Sequence, residues 1–156
     1  MSIDAVLARI DRDLDQSLER LFSLLRIPSI STDPAYAGSC REAAQWLADS
    51  LSELGFDASV RPTDGQPMVV AHYPAGSRDP EGRVLFYGHY DVQPVDPLEL
   101  WESDPFEPRI ATRPEGSKMI VARGAADDKG QLMTFVEAAR AWIAETGGLP
   151  VPVTIL

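Results

Sequence analysis

An apolar run that ends at a histidine constrains the fold of this chain more than any other stretch. Residues 84–88 read Val-Leu-Phe-Tyr-Gly, and His89 and Asp91 follow at once. The run is short and contains β-branched and aromatic residues, which is typical of a strand buried on both faces. In open α/β sheets, ligands bind outside the carboxyl ends of such strands. The sequence therefore predicts a site at the end of this strand, where His89 and Asp91 emerge.

The spacing of His89 and Asp91 suits a metal ligand and its carboxylate partner. Side chains two positions apart project to the same side of an extended chain. A carboxylate beside an imidazole can accept one ring N–H and leave the other nitrogen free for a metal ion. The same short pattern also describes a surface histidine followed by a turn aspartate before Pro94. These residues alone leave both interpretations open.

A pair of aspartates stands at the predicted start of a helix. Asp127 and Asp128 precede a set of apolar residues that recur at the helical period. That set is Leu132, Phe135, Val136, Ala139, Trp142 and Ile143. Aspartates in the first turn of a helix commonly satisfy free N–H groups and the helix dipole, so by itself this pair needs no metal ion.

Taken in order, these motifs resemble the M20 metallopeptidases, a family of amidohydrolases with two co-catalytic zinc ions. The matching series is residues 88–94 (Gly-His-Tyr-Asp-Val-Gln-Pro), Trp101, residues 105–106 (Pro-Phe) and residues 123–130 (Arg-Gly-Ala-Ala-Asp-Asp-Lys-Gly). The resemblance implies that His89 binds one zinc ion, that Asp91 is the catalytic-site carboxylate clamping its imidazole, and that Asp127 bridges both metals. It also implies a cis peptide bond between Asp127 and Asp128. The His-Tyr-Asp-Val-Gln-Pro form resembles the dipeptidase branch more than the deacylase branches.

The resemblance also implies parts that residues 1–156 do not contain. In the family, a Glu-Glu segment with the general base and a further ligand follows the strand at residues 151–156. A dimerisation domain and a final histidine ligand come later. The chain is therefore predicted to be the N-terminal portion of a catalytic domain and to be inactive alone. The complete enzyme is expected to be a homodimer with two Zn²⁺ ions per active site, the choice among divalent metals being left open.

The composition narrows the class of protein and its partners. A length of 156 residues suffices for one domain, and 44% hydrophobic residues can supply its core. The net charge of −10 argues against nucleic acids and anionic membranes as partners. No stretch resembles a signal peptide or approaches the ~20 apolar residues of a membrane span. The single cysteine, Cys40, cannot form an internal disulfide, so a cytoplasmic location is expected.

Periodicity and turn residues predict the remaining elements. Helices are predicted over residues 3–25, 39–54 and 127–145, with a capping box at residues 39–42 and a C-terminal cap at Gly55. Strands are predicted over residues 56–61, 67–73, 110–112, 119–122 and 151–156, and a polar turn over residues 74–83. His72 lies in one of these apolar strands and is predicted to be structural.

A proline-rich loop follows Asp91. Its prolines at positions 94, 97, 105 and 108 fix backbone φ angles and stiffen it. Trp101 and Phe106 lie within this loop. They either form a wall of the substrate pocket or staple the loop to the domain, and the sequence favours neither.

Together these patterns predict an α/β fold with a mixed, mostly parallel sheet flanked by helices. The resemblance implies hydrolysis of dipeptides or small peptides by a water held between two zinc ions about 3.5–4 Å apart. One alternative is an N-acyl-amino-acid deacylase with the same metals. The other is a non-catalytic interaction module that uses a free sheet edge at residues 151–156.

Overall fold

Helices and strands follow one another in the order that the periodicities predict. The computed structural model describes residues 3–74 and 82–156, so most of the predicted polar turn at residues 74–83 lies outside the described residues. The helices are α1 (Ile3–Arg12), α2 (Leu14–Leu25), α3 (Ala37–Glu53) and α4 (Lys129–Thr146). The strands are β1 (Asp57–Arg61), β2 (Met68–Tyr73), β3 (Val84–Phe86), β4 (Arg109–Thr112), β5 (Lys118–Val121) and β6 (Val153–Ile155).

A mixed sheet with the strand order β1-β2-β6-β3 carries the fold. Strands β1 and β2 are antiparallel because only residues 62–67 join them. Strand β6 is antiparallel to β2 and parallel to β3, and α4 lies in the long connection between β3 and β6. The α/β class and the mixed sheet with flanking helices are confirmed. The expectation of a mostly parallel sheet is wrong, because two of the three described pairings are antiparallel.

Strand β3 lies at an edge of the described sheet, and the exposure of its side chains contradicts the prediction of a strand buried on both faces. Its only pairing among the described strands is with β6. Leu85 is 66% exposed, and Val84 is also exposed. Phe86 faces α4, where its ring stacks on that of Phe135 with 4.0 Å between centroids. The apolar run therefore has one covered face in the described residues.

Strand β6 occupies the interior of the same sheet. It pairs with β2 on one side and with β3 on the other. Val153 and Ile155 are buried in the core. The prediction of a free edge at residues 151–156 is therefore wrong, and the alternative of an interaction module loses the surface on which it depended.

One hydrophobic cluster joins the helices to the sheet. Helix α3 packs on β1 and β2, while α1 and α2 pack on α4. Leu24 of α2, Leu51 of α3 and Val136 of α4 meet Ala71 and Ile155 of the sheet, and all five are almost fully buried. Burying a large aliphatic side chain contributes about 1.5–3 kcal/mol, so this cluster holds α4 against the sheet.

Two predicted helix boundaries differ from the observed ones. The helix predicted over residues 3–25 is divided at Asp13, whose carboxylate pairs with Arg9 and Arg12 and whose backbone leaves the helical region. The capping box predicted at residues 39–42 is wrong. Helix α3 begins earlier because the 3₁₀ turn at Pro34–Tyr36, capped by the side chain of Asp33, leads directly into it. The predicted C-terminal cap is confirmed by Gly55, which has φ +89.

Candidate functional site

His89 emerges three residues beyond the carboxyl end of β3. The backbone N–H of Gly88 donates to the carbonyl of Leu156 at 3.1 Å, which extends the pairing with the β6 segment up to this point. Beyond His89, the N–H of Val92 donates to the carbonyl of Ser29 at 2.9 Å. The histidine is thus held between two backbone anchors, and its side chain is 37% exposed.

The two ring nitrogens of His89 face different acidic residues. Nδ1 lies 3.1 Å from the backbone carbonyl oxygen of Asp91 and 3.2 Å from its Oδ1 atom. Nε2 lies 3.1 Å from Oδ1 of Asp127. The structure therefore brings together all three residues named from the sequence, although His89 and Asp127 are 38 positions apart.

Several acceptors around His89 affect its protonation. Partial burial acts to lower the pKa of His89. The Asp91 carbonyl and carboxylate, together with Asp127 and Asp128, outweigh this effect and raise the pKa above its usual 6.5. The imidazole thus lies in a negatively polarised environment, which favours a positive charge at this position.

Asp127 and Asp128 precede α4 but have different surroundings. The carboxylate of Asp128 accepts a hydrogen bond from the backbone N–H of His89 at 3.0 Å and makes no capping bond to α4. The simple helix-cap interpretation therefore fails for Asp128. The side chain of Asp127 is 84% exposed, apart from its contact with His89. The peptide bond between these aspartates is cis, as the resemblance implied.

A cavity of about 160 Å³ lies at this contact. Its lining includes His89, Asp91, Gln93, Arg123 and Asp127. A larger and mostly apolar cavity of about 370 Å³ lies beyond His89.

Trp101 serves to hold its loop in place. Its Nε1 donates to the carbonyl of Val95 at 3.0 Å, and the guanidinium of Arg123 lies 5.3 Å from the centre of its ring. Arg123 in turn donates from Nη2 to the carbonyl of Pro94 at 2.9 Å. Neither Trp101 nor Phe106 lines the two cavities beside His89. The geometry therefore favours residues that hold the loop against the domain over residues that form a wall of the substrate pocket.

Lys129 and Ser29 belong to the structure of the site but were not predicted from the sequence. Both side chains are fully buried. Burial lowers the pKa of the Lys129 ammonium from 10.5 to about 8. A lysine after two aspartates is typical of a solvated helix start, so the sequence carries no signal for its burial. His72, by contrast, contacts Thr154 away from the site, as predicted for a structural histidine.

The donor set within this chain is small. Among residues 3–74 and 82–156, no group of three or more His, Cys, Asp or Glu side chains is arranged to hold a metal ion. Within the same residues, no helix has the length and apolar character required to cross a membrane.

Comparisons with known proteins agree with this geometry. The profile of "Peptidase family M20/M25/M40" matches residues 85–156. The chain is 31% identical over its whole length to the Cys-Gly metallodipeptidase dug1 of Schizosaccharomyces pombe, of which it covers 33%. It is 34% identical over 85% of its length to the succinyl-diaminopimelate desuccinylase of Thioalkalivibrio sulfidiphilus, of which it covers 31%.

A solved structure extends the likeness to the fold. Human carnosine dipeptidase 1 superposes with a TM-score of 0.81 at 28% identity, over 99% of this chain and 34% of that protein. The chain thus spans about a third of the length of the curated relatives that it matches.

Proposed function

We propose that this chain belongs to peptidase family M20/M25/M40, whose profile matches residues 85–156, and that it supplies part of the active site of a metal-dependent hydrolase that cleaves dipeptides or short peptides. The observation that carries the proposal is the meeting of His89 Nε2 and Asp127 Oδ1 at 3.1 Å, with Asp91 at the other ring nitrogen. This arrangement supports a metal-binding imidazole with a fixed orientation and a carboxylate beside it. The names of the relatives support dipeptides as the substrate class.

The residues present fit zinc, and we propose two zinc ions bridged by Asp127. An imidazole nitrogen and a carboxylate oxygen are both common zinc ligands. The Asp127 carboxylate is largely exposed, so it is accessible to cations from more than one side. When bound, the zinc ions would supply a water of lowered pKa and polarise the scissile carbonyl.

Two acidic residues orient His89 for this role. Asp91 faces Nδ1 and thereby leaves Nε2 directed toward Asp127. Asp128 holds the backbone of His89 through its N–H group. We assign Asp91 and Asp128 to the orientation of His89, and we assign metal binding to His89 and Asp127.

We also propose that the chain is the N-terminal portion of the catalytic domain of a longer, homodimeric enzyme. The coverage of about a third of each relative supports a longer protein. So does the small donor set, because a catalytic zinc ion usually takes three protein ligands. The remaining ligands and the general base would then come from other parts of the protein.

The test uses the protein that the complete reading frame encodes. Purified protein would be loaded with zinc and assayed for hydrolysis of Cys-Gly and β-Ala-His, with metal content measured by atomic absorption. His89→Ala should abolish hydrolysis and lower the zinc content while leaving the circular dichroism spectrum unchanged. The matched control is His72→Ala, which removes the only other histidine of this chain and should retain both properties. Full activity in His89→Ala would contradict the proposal.

An N-acyl-amino-acid deacylase is the second candidate, and the similarity to a desuccinylase favours it. The same metals would act on an amide bond between an acyl group and an amino acid. The two candidates are separated by comparing kcat/KM for dipeptides with kcat/KM for N-acetyl and N-succinyl amino acids on one protein preparation. A higher value for the acylated substrates would replace the dipeptidase assignment.

A cytoplasmic location is also proposed. It is supported by Cys40, which is a free and fully buried thiol. Fractionation of the native cells with an antibody to the protein checks this assignment, and recovery in the extracellular fraction would contradict it.

A further inference from the structure

Lys129 is a charged side chain with no exposure to solvent. It is the largest fully buried side chain among the described residues. Burying an ammonium group is costly unless polar atoms satisfy it. Its Nζ atom donates to the carbonyl oxygens of Leu24 at 3.0 Å and Ile27 at 2.7 Å. The ammonium group is therefore fixed by the backbone of a segment more than 100 positions away in sequence.

The acceptors of Lys129 lie at the C-terminal end of α2. The last carbonyl groups of a helix have no partner within it and carry the negative end of the helix dipole. Lys129 is also the first residue of α4, directly after Asp127 and Asp128. Its side chain therefore joins the end of one helix to the start of another.

The stem of Lys129 also supports the loop that carries Asp127. A Cβ atom placed on Gly124 would lie 3.3 Å from Cδ of Lys129 and 2.9 Å from Cγ1 of Val92. The loop thus rests closely on the lysine stem and on the segment after His89. A displacement of the lysine would remove the support beneath this loop.

The same part of the chain anchors His89. We call residues 24–30 the anchor segment. Its Ser29 hydroxyl donates to the carbonyl of Tyr90 at 2.7 Å, and its Ile30 forms an isolated parallel bridge with Val92. Ser29 is fully buried. The anchor segment therefore contacts both elements on which the predicted metal ligands lie.

We propose that Lys129 is a positioning residue of the metal site, which sets the place of Asp127 relative to His89 by binding the anchor segment. This inference rests on the proposed function, because it assumes that His89 and Asp127 bind metal. A purely structural lysine would contribute to stability without affecting metal binding. A positioning lysine affects the geometry of the bound metal.

The experiment compares Lys129→Met with Arg20→Met in the protein from the complete reading frame. Arg20 lies on α2 and binds Glu137 of α4 at 2.6 and 2.7 Å, so it links the same two helices away from the site. Each protein is stripped of metal and titrated with Zn²⁺ against a chromophoric chelator. It is then loaded with Co²⁺ so that the visible absorption spectrum reports the coordination geometry. Tm and the separate values of kcat and KM are also measured.

Lys129→Met should weaken zinc affinity about 10–100-fold, the range for residues that orient metal ligands, and alter the cobalt spectrum. It should lower kcat with little change in KM. Arg20→Met should lower Tm and leave zinc affinity and the cobalt spectrum unchanged. A Lys129→Met protein that loses only Tm overturns the proposal. If that variant does not fold, Ser29→Ala takes its place, with the same expected changes, and unchanged zinc affinity and cobalt spectrum overturn the role of the anchor segment.

The outcomes separate this inference from the proposed function. If the unsubstituted protein binds neither Zn²⁺ nor Co²⁺, or if His89→Ala binds them normally, both the proposed function and the role of Lys129 are overturned. If His89→Ala loses the metal while Lys129→Met keeps it with an unchanged spectrum, only the role of Lys129 is overturned.

Discussion

Substituting Gly130 by alanine should damage the site far more than the same change at Gly38, the other glycine within the described helices. Gly130 is the second residue of α4, and its N–H faces the carbonyl of Gly124. A Cβ atom on Gly130 would overlap the carbonyl oxygen of Ala125 and lie 3.1 Å from its carbonyl carbon. These atoms belong to the backbone, so no change of rotamer relieves the clash. Gly130→Ala therefore requires the Ala125 peptide to move, two residues before Asp127.

The expected magnitude has a stability part and a functional part. Overpacking costs about 1–3 kcal/mol in well-packed regions. Relieving the clash requires a shift on the order of 1 Å, and a misplacement of that size at a reacting group costs about 10²-fold in rate. Gly38→Ala is the matched control, because Gly38 also lies in the first turn of a helix and nothing lies within 4 Å of its added Cβ. It should be neutral or stabilising by about 0.5–1 kcal/mol.

Both variants are measured in the protein from the complete reading frame. Urea denaturation gives the free energy of unfolding, chelator competition gives the zinc affinity, and dipeptide hydrolysis gives kcat. Gly130→Ala should lower all three, whereas Gly38→Ala should lower none. Equal zinc affinity in the two variants would refute the inference that close packing at Gly130 holds Asp127 in place.

Three further predictions follow from the contacts. Asp91→Ala should weaken zinc binding about 10–100-fold without unfolding the protein, and titration calorimetry that shows unchanged affinity would contradict its assignment to His89. Residues 1–156 alone should bind zinc weakly and hydrolyse no dipeptide, whereas tight two-site binding in calorimetry would show that the ligands are misassigned. Glu137→Gln should lower the free energy of unfolding by about 2 kcal/mol at neutral pH, because Glu137 accepts bonds from Arg20 and Ser17. Burial acts to raise the pKa of Glu137, but these bonds outweigh it and lower the pKa below 4.5, so the difference between the proteins should shrink as pH falls from 4.5 through the lowered value. A difference in urea denaturation that stays constant over that range would contradict this reasoning.

The site residues could be predicted from the sequence because they lie in short sequence patterns. His89 and Asp91 share one short pattern, and the rule that ligands bind at strand ends gives its place in the fold. The placement of His89 at the end of a strand and of Asp127 at the start of a helix predicted that the two side chains lie close together. The 3.1 Å contact between them confirms this prediction. The donor to the Asp128 carboxylate, the backbone N–H of His89, could not be predicted, because a helix-start aspartate more commonly caps its own helix.

Strand placement could be predicted only in part. Apolar content correctly indicated the strands at residues 84–86 and 153–155. It could not indicate which of them lies inside the described sheet, because an apolar run fits an interior strand and a covered edge equally well. The order β1-β2-β6-β3 depends on pairings between residues far apart in sequence, such as Ala71 with Ile155. Neither periodicity nor turn residues encode such pairings.

The same distinction separates the ligands from the residues that hold them. Ser29 and Tyr90 are 61 positions apart, and Lys129 is 102 positions from its acceptor Ile27. Each of these contacts exists only after α2, the end of β3 and the start of α4 have met in one core. A motif search centred on His89 and Asp127 therefore contains no signal for residues 24–30, although these residues contact the elements that bear both ligands. It follows that substitutions within this segment can change the geometry of the metal site while every motif residue is retained.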